Sequence, residues 1–141
     1  MSITPVYATR NWKGIIIHHS ATDTGTVESI DRYHRSLGWN EIGYHYVIYR
    51  NGDVRRGRSL NKRGAHALTG KPYSRNGSHI GICLIGKTQF TEIQKKAVRF
   101  LCWALKQKYE NITSIERHHE ECPGKGIDVE DIEKEILEGR Y

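Results

Sequence analysis

The 141-residue sequence contains no apolar run that approaches the roughly 18 residues of a membrane-spanning helix. Its N-terminal stretch, Met1-Ser2-Ile3-Thr4-Pro5, lacks the charged-then-apolar pattern of a signal peptide, so we expect a cytoplasmic protein. Internal repeats and low-complexity linkers are also missing. A chain of this length without them is predicted to form a single domain over residues 1–141, with residues 1–12 as an N-terminal arm.

Cysteine is scarce, and no CxxC pair of the kind that builds structural zinc sites is present. The three cysteines are an odd number, which argues against a disulfide framework and for a reducing compartment. Cys83 and Cys102 lie within apolar patterns and are interpreted as small core residues. Only Cys122 is left for chemistry.

The net charge of +6 and the isoelectric point near 9.3 favour an anionic partner, either nucleic acid or an anionic cell-wall polymer. Charge alone does not choose between them. No recognisable RNA- or DNA-binding motif occurs, so a nucleic-acid partner is not expected. A steep salt dependence of DNA affinity would be the signature of that alternative.

A Gly followed by three isoleucines, at residues 14–17, predicts a buried strand that ends in His18 and His19. Side chains alternate along a strand, so the two imidazoles must face opposite sides of the sheet. A second doublet, His118-His119, follows a short predicted strand, and Cys122 comes soon after it.

A catalytic zinc ion takes three protein ligands from His, Cys or carboxylate and keeps a fourth position open. One histidine from each doublet together with Cys122 would fill that set. On spacing alone, however, a histidine doublet is more often incidental, so a metal site and a packing role both remain open.

The other predicted elements surround these doublets. Thr26 caps a helix with one apolar or aromatic face, on which His34 is either a packed histidine or a ligand. Asn51-Gly52 predicts a hairpin, with alternation placing Tyr44 on the same face as Ile48. A long loop over 59–78 leads to a central strand, and the last helix covers 128–137. Thr91 opens the strongest helix, whose predicted inward stripe is Ile93, Ala97, Phe100, Leu101, Ala104 and Leu105.

The resulting order, β-α-β-β-loop-β-α-β-α, predicts an α/β domain with a mixed central sheet of about five strands flanked by helices. Ligands in such folds tend to bind at the carboxyl ends of the strands. Both histidine doublets fall at such ends.

Five short motifs occur along the chain in a definite order. They are Ile16-Ile17-His18-His19-Ser20, Gly43-Tyr44-His45-Tyr46-Val47-Ile48, Ala65-His66-Ala67, the run from Ser78 to Gly86, and His118-His119-Glu120 with Cys122-Pro123-Gly124. This order resembles the zinc-dependent N-acetylmuramoyl-L-alanine amidases, a family that includes small phage amidases and animal peptidoglycan recognition proteins. The resemblance spans roughly residues 12–137 and implies the amidase fold.

The resemblance also implies roles for particular residues. It selects His18, His118 and Cys122 as ligands of one zinc ion per chain, and Tyr44 as a catalytic residue. His66 and Asn76 match positions that line the peptide-binding groove. Relatives often carry a lysine just before the cysteine. Here Glu120 and Glu121 occupy that stretch and Lys125 follows it, so Lys125 is the candidate for the catalytic lysine.

The activity implied is hydrolysis of the amide bond between N-acetylmuramic acid and L-alanine in bacterial peptidoglycan. We expect a monomeric phage or prophage endolysin that reaches the wall on lysis or with a helper such as a holin. The alternative is a non-catalytic recognition module, which in this family keeps the groove but lacks the cysteine ligand. The presence of Cys122 with Tyr44 favours the enzyme.

Overall fold

A computed structural model describes residues 10–68 and 74–139 of the chain. Most of the predicted arm and part of the predicted long loop lie outside those ranges. A mixed five-stranded sheet with three helices confirms the predicted fold class. The elements are β1 (Gly14–His19), α1 (Val27–Ser36), β2 (Tyr46–Ile48), β3 (Val54–Arg56), β4 (His79–Leu84), α2 (Glu92–Lys108), β5 (Ser114–Arg117) and α3 (Val129–Leu137).

The strand order across the sheet is β3-β2-β4-β1-β5. β1 runs parallel to both β4 and β5, β2 runs parallel to β4, and only β3 is antiparallel to its neighbour. The carboxyl ends of β1, β4 and β5 therefore meet at one edge. His18 lies opposite Cys83 in the β1–β4 register, and the second histidine doublet follows directly after β5.

One face of the sheet carries the main apolar core. β1 contributes Ile15 and Ile17 to it, and α2 and α3 cover it from the other side. The opposite face holds a smaller apolar cluster of Ile42, Val47, Cys83 and Ile85, against which Val27 and Ile30 of α1 pack. No helix in the described part of the chain is long and apolar enough to cross a membrane.

The hairpin at Asn51-Gly52 is confirmed, with Gly52 at a φ of 90°. The predicted alternation before it is wrong at Tyr44. β2 begins only at Tyr46, and Tyr44 packs against the smaller cluster while Ile48 lies in the main core. Strand periodicity does not extend to a residue that precedes the strand.

Helix α2 begins as predicted, since the Thr91 side chain accepts a hydrogen bond from the Gln94 backbone. Its predicted inward stripe is wrong in part, because Ile93 and Phe100 are 54% and 57% exposed. Gln94 is buried instead, and its amide donates to the carbonyls of Ile48 and Ile85. Those two bonds fix the rotation of the helix and turn Gln94, with the residues one and two turns on, toward the sheet.

Candidate metal centre and active site

Three potential ligands meet at the carboxyl edge of the sheet. His18 ends β1, His118 follows β5, and Cys122 lies just beyond, with one donor atom of each residue within 4.8 Å of the others. His18 Nδ1 is 3.7 Å from the Cys122 sulfur. Two imidazoles and a thiol at these separations form a ligand set suited to zinc. The group found among the described residues includes neither His19 nor His119.

The hydrogen bonds around His18 determine which of its nitrogens is available. His18 Nε2 is 2.8 Å from His66 Nδ1, and His66 Nε2 is 2.9 Å from the carbonyl oxygen of His79. Burial, reinforced by His66 and His118, holds the pKa of His18 well below its ordinary value. Burial likewise lowers the pKa of His66 to about 3. Both imidazoles are therefore neutral near pH 7, and a neutral imidazole can ligate a metal through its lone pair.

The backbone of His118 is held by a fully buried arginine. Arg75 donates to the carbonyls of His118 and Arg117, at 2.7 and 3.2 Å, and pairs with Glu116 at 2.9 Å. The other carboxylate oxygen of Glu116 is 2.9 Å from His79 Nε2. Since the His79 carbonyl is also the partner of His66, one connected polar network reaches both candidate histidine ligands.

Tyr44 lies beside this group, its ring centroid 5.1 Å from that of His18. Burial, with Cys83 and Cys122 nearby, raises the pKa of Tyr44 well above its ordinary value. Its hydroxyl, which shares a hydrogen bond with the Cys83 thiol, thus stays protonated and acts as a hydrogen-bond donor. Burial also raises the pKa of the Cys122 thiol, while a hydrogen bond from the His19 backbone acts in the opposite direction.

A cavity of about 480 Å³ opens over the site. Six of the seven predicted site residues line it, namely His18, Tyr44, His66, Asn76, His118 and Cys122. Trp39 and Leu68 supply an apolar side, and His34, whose Nδ1 accepts the backbone N–H of Gly43, closes another. Lys125 is exposed and is not among the residues that line the cavity.

Asn76 supports the wall from behind. Its carboxamide oxygen accepts the backbone N–H groups of His66 and Ala67, at 2.7 and 2.6 Å. Sequence reasoning placed Asn76 in the groove but missed the roles of Arg75, Glu116 and Cys83. A buried arginine leaves no periodic signal in a loop, and Cys83 sits within an apolar run that indicates only burial.

Two imidazoles, a thiol and a tyrosine at the carboxyl edge of an α/β sheet form a set that could serve a mononuclear hydrolase. Comparison with known proteins specifies the class. The model of the N-acetylmuramoyl-L-alanine amidase family matches residues 8–125. The chain belongs to this family, and it is an amidase of that kind.

Similar proteins and solved structures agree with that assignment. The endolysin of Escherichia phage T7 is 36% identical over 120 residues, covering 77% of this chain and 76% of that protein. The structure of the amidase LysC from Clostridium intestinale URNW superposes with a TM-score of 0.80 at 32% identity, over 94% of this chain and 90% of that one. Bumblebee PGRP-SA gives a TM-score of 0.72 at 25% identity, over 93% and 88% of the two chains.

Proposed function

We propose that the protein is a zinc-dependent endolysin, with His18, His118 and Cys122 holding one zinc ion per chain. The observation that carries this proposal is the approach of two imidazoles and a thiol to within 4.8 Å, on the wall of a cavity that also contains Tyr44. The three residues fit zinc because they offer two imidazole nitrogens and one sulfur. Zinc prefers nitrogen and sulfur ligands to a site built only of oxygen atoms.

A zinc ion held by these three residues would supply Lewis acidity, the chemistry that makes water nucleophilic and an amide carbonyl electrophilic near neutral pH. The remaining chemistry falls to side chains. Tyr44 stays protonated beside His18, and its hydroxyl would exchange the Cys83 thiol for the oxygen that gains negative charge during attack, donating a hydrogen bond to it. His66 and Asn76 shape the wall along which the stem peptide lies, and the apolar side chains of Trp39 and Leu68 exclude water from it.

The bond we propose to be cleaved joins N-acetylmuramic acid to L-alanine. Support comes from the family match over residues 8–125 and from the likeness to the phage T7 endolysin. As an endolysin the protein would act as a monomer, accumulate in the cytoplasm and meet peptidoglycan only when the host lyses. Its net charge of +6 suits a wall that carries anionic stem peptides and polymers.

Two measurements on the same preparation test this function. Metal analysis is expected to give one zinc per chain. Digestion of purified cell walls is expected to expose new N-terminal alanine without new reducing ends. Release of reducing sugar without free alanine would make the enzyme a glycosidase, and full activity after complete removal of zinc would show that the metal is not used.

A further inference from the structure

His66 has no free ring nitrogen. Its Nε2 faces the His79 carbonyl oxygen at 2.9 Å, and a carbonyl oxygen can only accept, so Nε2 carries the proton. Nδ1 of a neutral His66 is then an acceptor. Its partner at 2.8 Å, His18 Nε2, must be the donor.

The same logic fixes the other nitrogen of His18. With the proton on Nε2, Nδ1 holds the lone pair, and Nδ1 is the atom that faces the Cys122 sulfur at 3.7 Å. The opposite tautomer would place a proton between His18 and the other candidate ligands. The hydrogen bond that His18 donates to His66 therefore selects the form of His18 that can bind a cation.

The position of the His66 ring is fixed on several sides. A Cβ at Gly64 would lie 2.3 Å from His66 Cδ2, and one at Gly81 would lie 2.6 Å from His66 Cγ, so both positions must lack a side chain for the ring to fit. Asn76 holds the backbone N–H of His66 at 2.7 Å. The ring is 8% exposed, and both its polar atoms are used within the protein.

We propose that His66 is a positioning residue of the metal centre, which holds His18 in the tautomer with its Nδ1 lone pair directed at the metal position. The inference deepens the proposed zinc function and rests on it. It differs from the role that family resemblance implies, since His66 acts here through His18 and not through a polar contact with substrate.

Two substitutions of nearly equal shape isolate this effect. His66→Asn can place its amide oxygen near the Nδ1 position and keep an acceptor for His18, whereas His66→Leu has none. Both variants lose the bond to the His79 carbonyl and leave similar space, so damage to folding would affect them alike. The two side chains have the same branching and differ in the acceptor for His18 and in one amide NH2 group, so the tautomer of His18 is the readout that reports the acceptor.

The first readout is the protonated nitrogen of His18 in the metal-free protein, measured by long-range ¹H–¹⁵N NMR correlation. We expect the proton on Nε2 in the unmodified protein and in His66→Asn, and a mixture of tautomers in His66→Leu. The second readout is the zinc dissociation constant, measured by chelator competition. We expect His66→Leu to bind zinc roughly 10–100-fold more weakly than the unmodified protein, with His66→Asn in between.

A proton on Nδ1 of His18 in the unmodified protein would overturn the proposal. This measurement needs no variant, so it can be made even if His66→Leu fails to fold. Equal zinc affinities of the Leu and Asn variants would also overturn it. If the unmodified protein binds no zinc, the proposed function fails. The NMR measurement then still decides whether His66 sets the tautomer of His18.

Discussion

The two faces of the sheet are built on different principles. The face under α2 and α3 is mainly apolar, with Ile15, Ile17 and Ile82 on it fully buried. The face that carries the site buries polar side chains in similar depth, including His18 at 1% exposure and Arg75 at 0%. The first face is stabilised mainly by area removed from water, whereas the second depends also on hydrogen bonds between its buried polar groups.

This difference decides how each face responds to mutation. An apolar core tolerates a swap that preserves volume, because dispersion and burial have no direction. In a buried polar network, removing one partner leaves the other group desolvated without a hydrogen bond, and the protein is destabilised by the full desolvation cost of that group. Substitutions of matched shape on the two faces should therefore have very unequal effects.

The largest contrast is expected within one strand, between adjacent histidines. His18→Ala removes a proposed ligand and should abolish stoichiometric zinc binding and activity, as should His118→Ala and Cys122→Ser. His19→Ala, outside the converging group, should retain most of the zinc. Metal analysis after gel filtration checks this. Zinc lost from the His19 or His119 variant but kept in the His18 or His118 variant would shift the ligand assignment by one residue.

The second contrast uses two tyrosines separated by one residue. Tyr44→Phe removes a hydroxyl from the cavity and should lower kcat by roughly 10²–10⁴-fold with zinc retained. Tyr46 packs against the main apolar core, so Tyr46→Phe should leave kcat nearly unchanged.

Lys125→Met should lower kcat less than Tyr44→Phe does, because Lys125 does not line the cavity. A larger loss for Lys125→Met would transfer the principal catalytic role to that lysine.

The third contrast compares two arginines in ion pairs. Arg75→Met leaves Glu116 and two backbone carbonyls without their buried cation, so the free energy of unfolding should fall by about 3–5 kcal/mol. Arg99→Met breaks pairs with Asp131 and Glu135 at the surface and should cost about 1 kcal/mol or less. Urea unfolding of the metal-free protein measures both. Equal losses would mean that the buried pair adds nothing beyond a surface one.

The sequence predicts the apolar face far better than the polar one. Local sequence is enough to predict three of its features, namely the buried isoleucines of β1, the Asn51-Gly52 turn and the Thr91 cap. Arg75 depends on contacts with residues about 41 positions away, which no local pattern encodes. The candidate ligands were found from side-chain chemistry, parallel-strand topology and resemblance, whereas the hydrogen bonds that orient them required coordinates.

The polar face should also make the protein sensitive to acid, and His45 offers the cleanest measure because it is not a proposed ligand. His45 Nε2 donates to the Lys62 carbonyl at 2.9 Å, while Nδ1 accepts the backbone N–H of Gly81 at 3.0 Å. Burial lowers the pKa of His45 from 6.5 to about 4. A second proton, on Nδ1, would also face the backbone N–H of Gly81, which can only donate.

The unfolded chain therefore binds a proton on His45 at a higher pH than the folded chain does. The stability that the neutral ring contributes is fully present above about pH 6.5 and is lost as the pH falls toward 4. A pKa difference of this size corresponds to about 3 kcal/mol. Other buried histidines add to the slope in the same direction, so the unmodified protein alone does not isolate the effect of His45.

His45→Gln keeps a donor for the Lys62 carbonyl but cannot be protonated. Urea unfolding of the metal-free forms should therefore show the stability of this variant falling less steeply between pH 6.5 and 4. Parallel curves for the two proteins would show that His45 titrates alike in the folded and unfolded states, which its burial between two backbone partners argues against.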